Sequence, residues 1–149
     1  MLRILSFGIA VFFASLAQAE SPRSALPQDM LVAAEDADLS RFLWTNRLII
    51  VFADSEADPR FIDQIDLLAE RPAELTERDV KIVLDAEPAL NSTLRTKYRP
   101  RGFMLMLVGK DGQVYLRKPL PWDVREISRS IDKLPQRQQE VRDRRTDGS

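Results

Sequence analysis

The sequence predicts an α/β sandwich in which a central mixed sheet ends in a C-terminal β-hairpin and carries helices on both faces. Three observations lead there. Two apolar runs of strand length, "RLIIVFA" at 47–53 and "DVKIVLD" at 79–85, are each followed by a segment whose apolar residues repeat at helical spacing. An Asp111-Gly112 pair then separates two more short apolar runs, a hairpin signal because glycine supplies the positive φ of the turn. Strand-helix units imply parallel pairing and the hairpin adds antiparallel strands, so the sheet is mixed.

Taken in order, residues 20–37 begin "ESPRSALPQDM", with prolines and serines but no periodicity, and read as a linker before a domain at 38–135. Asp38 is placed to cap a short helix in which Leu39, Phe42 and Leu43 stand at i, i+3 and i+4, with Trp44 next. The run 47–53 is β-branched and apolar enough to be buried on both faces, as a central strand is. Phe61, Ile65 and Leu68, with Ile62 and Ala69 beside them, then form one helical face that ends near Arg71-Pro72. In 79–85, Val80, Ile82 and Leu84 alternate with Lys81, giving a second strand. Leu90, Leu94 and Tyr98 fall at four-residue steps in a modest helix that stops before Pro100. "FMLMLV" at 103–108 and "QVYLRK" at 113–118 flank the Gly109-Lys-Asp-Gly112 turn. Asp123 caps a last helix with Val124, Ile127, Ile131 and Leu134 on one face, interrupted by Pro135. Residues 136–149 read as a polar helix fraying into a tail.

The start of the chain sets a compartment. "MLRILSFGIAVFFASLAQA" has one cation at Arg3, an apolar run from Ile4 to Leu16, and Ala17-Gln18-Ala19 before Glu20, the layout of a secretory signal cleaved after Ala19. The run is shorter than the ~20 residues a membrane-spanning helix needs. A signal at 1–19 implies a periplasmic or secreted protein with no stable membrane anchor after cleavage. Cleavage leaves 21 Lys and Arg against 23 Asp and Glu, a balance that gives no electrostatic case for nucleic acid or anionic membranes. The chain has no cysteine and no histidine. Thiol redox chemistry, thiolate nucleophiles, cysteine metal sites and histidine proton shuttles are therefore excluded, and no cofactor is expected.

The segments "FLWTNRLIIVF", "DPRFIDQIDLL", "ERDVKIV", "FMLMLVGKDGQVYLR" and "IDKLPQRQQE" together resemble an uncharacterised family of exported bacterial proteins. The family's domain is similar to one repeated in animal extracellular proteins of the sushi-repeat and equarin type, described as peroxiredoxin-like. The resemblance covers about residues 38 to 141 and implies a thioredoxin-like fold and an exported location, with no activity attached. Leu134 and Gln136 stand where it implies methionines.

In a thioredoxin-like protein a redox thiol would sit in the loop after the first central strand, which here is Asp54-Ser-Glu-Ala-Asp-Pro-Arg60. Asp54, Glu56 and Asp58 alternate like the first ligands of a calcium loop, but Pro59 occupies the turn-glycine position and Ile65 that of the closing glutamate. Helix initiation accounts for the same residues, with Asp58 as N-cap and Pro59 first in the helix, or with Ser55 and Asp58 as a capping box. Asp54, Asp58, Arg60 and Arg137 are the candidate ligand or partner contacts, and none is assigned as catalytic. The expected function is non-catalytic binding of an envelope or extracellular protein. The alternative is a thiol-independent enzyme, or a small-ligand or metal-binding protein, using the loop at 54–60.

Overall fold

The computed structural model describes residues 22–35 and 37–148, and the expected signal at 1–19 lies outside them. Five strands form one sheet in the order β1-β3-β2-β4-β5: β1 (Leu31–Val32), β2 (Arg47–Phe52), β3 (Val80–Asp85), β4 (Met104–Val108) and β5 (Val114–Lys118). β1, β3 and β2 run parallel, β4 is antiparallel to β2, and β5 closes the hairpin. The mixed sheet and its hairpin are as the sequence predicts. In the turn, Gly112 has φ +77° and donates its N–H to Gly109 O at 2.9 Å.

Period-two alternation divides the core between the two sheet faces. Ile49 and Val51 point with Ile82, Leu84, Leu105 and Leu107 to one face. They meet α1 (Pro59–Ala69), α2 (Pro72–Thr76) and α4 (Val124–Asp132) through Phe61, Ile65, Leu68, Leu75, Val124, Ile127 and Ile131. Leu48, Ile50, Phe52, Val83, Met106 and Val108 point to the other face, where α3 (Thr93–Tyr98) packs through Leu94 and Tyr98. Buried Gln64 fixes α1 to the chain entering α4, its amide exchanging hydrogen bonds of 2.9 Å with both Trp122 N–H and Trp122 O.

Four local expectations are corrected. The segment read as a linker supplies strand β1 and buries Leu26, Met30 and Ala37; two strand residues are too few to show alternation. The segment after Asp38 is a 3-10 helix, Leu39–Phe42, although Asp38 does cap it by accepting from Ser40 N–H at 2.9 Å. Leu90 is exposed in a separate 3-10 turn, Pro88–Leu90, and α3 starts later with Ser92 as its cap. The residues beyond Pro135 form α5 (Pro135–Asp147), tied to the body by a buried arginine where the sequence suggested fraying. Among the described residues no helix is long and apolar enough to cross a membrane.

Candidate functional site

The loop at 54–60 leaves the C-terminal end of β2 and enters α1, the end of parallel strands where α/β sheets commonly bind ligands. Asp58 is the N-cap and accepts from Arg60 N–H at 2.9 Å, with Pro59 in the first turn. Its carboxylate also receives Arg60 Nη2 at 2.9 Å and Nε at 3.2 Å. That hydrogen bonding from Arg60 holds the Asp58 carboxyl below its ordinary value, against the opposing effect of burial. The Arg60 guanidinium also lies 5.6 Å from the Phe103 ring centroid. Ser55 Oγ accepts from Ala57 N–H at 3.1 Å and so shapes the turn, while Asp58 alone caps the helix. Glu56 pairs with Arg23 at 2.8 Å. Glu56 and Asp58 thus pair with different cations, Asp54 lies near Arg60, and among the described residues no three metal-ligating side chains converge.

Helix initiation explains this loop, and it makes a quantitative demand. Asp58→Ala removes the cap and is expected to lower stability by about 1 kcal/mol. Urea unfolding checks this, and a loss several times larger would mean that Asp58 holds more than the start of α1.

Arg137 lies at the opposite end of the sheet, only 3% exposed. It reaches Glu77 at 2.9 Å, Asp132 at 3.5 Å and Glu140 at 3.6 Å. As a contact for an outside partner it is corrected, because burial and three internal carboxylates occupy its guanidinium. The same cluster holds Arg47, which is 0% exposed at the start of β2. Arg47 donates to Glu140 at 2.9 and 3.3 Å and to Arg78 O at 2.9 Å. Lys110, from the hairpin turn, binds Glu140 at 2.9 Å and Asp79 at 2.8 Å. Its carbonyl accepts Trp44 N–H at 2.7 Å, so Trp44, Arg47 and the Arg137 segment converge on one end of the molecule. The candidate residues therefore fall into two groups, Asp54, Asp58 and Arg60 at one end and Arg137 at the other.

Sequence reasoning missed a third cluster. Asp85, 4% exposed at the end of β3, receives Arg95 Nε at 2.7 Å and the Ser92 hydroxyl. Arg95 also donates to Ala53 O and Asp85 O, and stacks 5.6 Å from the Phe52 ring centroid. The available signal was an acid closing an otherwise apolar strand, since a buried charge requires a partner.

No curated protein matches the chain. Among solved structures, it is similar to Plasmodium yoelii Prx1a, modified at the N-terminus and described as forming an artifactual octamer. The two share 16% identity at a TM-score of 0.52, over 68% of this chain and 80% of that one, which establishes a thioredoxin-like fold. Residues 38–140 match the family described as a domain of unknown function, DUF4174, and the chain belongs to that family.

Proposed function

We propose that the protein is an exported, non-catalytic binding module whose partner is another envelope or extracellular protein. The observation that carries this reading is Trp44, 70% exposed and held at φ +63°. A bulky residue in the left-handed region costs about 1–2 kcal/mol and persists only where its surroundings impose it. The Trp44 N–H bond to Lys110 O supplies part of that constraint. Leu43 beside it is also exposed and lines an open cleft of about 800 Å³ together with Leu39, Leu94, Lys97, Asp111 and Gly112. An exposed tryptophan with an aliphatic neighbour and a polar rim has the composition of an interface anchor. The loop at 54–60, by contrast, offers a satisfied helix cap and no thiol.

Trp44→Gly separates function from stability, because glycine tolerates positive φ and the lost ring was exposed. The variant is expected to melt at or above the wild-type temperature while losing the species that wild-type protein captures by crosslinking in envelope extract. Equal capture by Trp44→Gly, or no specific capture by wild type, would remove this face as the binding site.

A further inference from the structure

At the other end of the sheet from Trp44, the loop from α3 to β4 and the end of β5 enclose an open groove. Arg99 and Arg101 line one side, Arg117, Lys118 and Pro119 the other, and Phe103 and Met104 add apolar surface; its volume is about 290 Å³. The strand register places it there: Met104 pairs with Phe52 and Lys118 with Leu105, both at the end of β2 remote from Arg47.

The groove's cations lack the carboxylate partners that many other cations of the molecule have. Arg23, Arg47, Arg60, Arg71, Arg78, Arg95, Lys110 and Arg137 all have a carboxylate partner. Arg99, Arg101, Arg117 and Lys118 have none within 4.0 Å among the described residues. Arg117 instead donates to Tyr98 O at 3.3 Å, and Lys118 lies 4.1 Å from the Trp122 ring centroid. Between Arg95 and Trp122 the sequence contains a single acid, Asp111, at the far hairpin turn. In space the Asp54 carboxylate lies beside Gly102 in this loop, but within 4.0 Å of none of the four cations. Four cations gathered with no carboxylate in contact repel one another, and an anionic occupant relieves that repulsion.

We infer that this groove binds an extended acidic polypeptide segment carrying apolar residues between its acids. Two features select a polypeptide. The groove has apolar surface within reach of its cations, which suits a chain of alternating acidic and apolar side chains. It also borders β5, an edge strand among the described residues, whose outer N–H and C=O groups face no partner strand and are open to pairing with an extended backbone. The inference rests on the binding-module reading but not on the Trp44 face.

Fluorescence anisotropy with a labelled peptide of alternating glutamate and valine tests it on the purified protein. Binding is expected at low salt and to weaken as salt rises, because the paired charges are exposed. Arg101→Glu with Arg117→Glu is expected to weaken it by roughly tenfold or more while the protein keeps its cooperative melting transition, since Arg117 gives up only its contacts to Tyr98. Trp44→Gly is expected to leave it unchanged, so failure of the Trp44 face and failure of the groove read out separately. No binding of the glutamate-valine peptide at low salt would overturn the inference, as would binding indifferent to the double charge reversal. Equal or tighter binding of inorganic polyphosphate would overturn the polypeptide occupant, leaving a general anion site. Equal binding of a lysine-valine peptide would show that the edge strand alone, without the cations, makes the contact, and would also overturn it.

Discussion

Glu140→Ala is expected to destabilise the protein by about 3 kcal/mol and to lower its melting temperature by roughly 10 °C. Removing the carboxylate leaves Arg47 fully buried with Arg78 O as its remaining acceptor, and its Nε has no partner to begin with. Lys110 and Arg137 lose an ion-pair partner in the same step. The loss lies at the low end for a broken buried pair because Glu140 keeps some contact with solvent. Arg47→Met combined with Glu140→Leu is expected to recover most of it, since no unpaired charge then remains. Denaturant midpoints of the wild type and the two variants check this. A loss under about 1 kcal/mol for Glu140→Ala would show that Arg47 is satisfied without α5.

The same carboxylate gives the protein an acid limit. Burial pushes the Glu140 carboxyl up, but hydrogen bonds from Arg47 and Lys110 outweigh it and hold the group below the ordinary glutamate value. Asp132 behaves alike, with burial opposed by Arg78 and then Arg137. The folded protein therefore binds these protons less readily than the unfolded chain. Their stabilisation is complete above the ordinary carboxylate range, about pH 4, and is lost as pH falls through the lower folded values. Glu140→Gln is expected to flatten the fall of stability in that acid window.

Asp85→Ala is the second large effect, at about 3–4 kcal/mol, because Arg95 would keep only two backbone carbonyls and Ser92 would lose its acceptor. Hydrogen exchange distinguishes this variant from Glu140→Ala. Amides of α3, which carries Arg95, are expected to lose protection in Asp85→Ala, whereas Glu140→Ala is expected to expose α5 first. Equal loss everywhere in both variants would mean that the clusters brace the whole fold alike.

Much of the architecture was legible because it rests on local rules. Asp38, Asp58 and Asp123 each accept a backbone N–H at the helix starts where their spacing placed them. The alternation of 79–85 and the Asp-Gly turn set a strand and a hairpin without reference to distant residues. The charged clusters were not legible, since Arg47 and Glu140 stand 93 residues apart and no spacing rule connects them. In sequence Arg137 is one of several arginines that could meet an acidic partner, and the interleaved Glu140, Asp143 and Asp147 point instead to a solvated helix end. Only the fold reveals that Glu77, Asp132 and Glu140 consume its guanidinium. The candidate loop was read more fully, as its helix-capping role follows from Asp58-Pro59 alone.

The distance along the chain between Arg47 and Glu140 also has a consequence in time. Contacts that close so long a segment cost loop entropy before they return any stability, so this pair is expected to form late. The sheet and its hairpin can assemble from nearer pairings, and α5 then docks over Arg47 after most of the core is in place. An interaction absent from the transition state acts on the rate of opening and hardly on the rate of folding. The C-terminal helix thus works as a latch on the lifetime of the native state, resisting brief openings in which a protease could cut the chain.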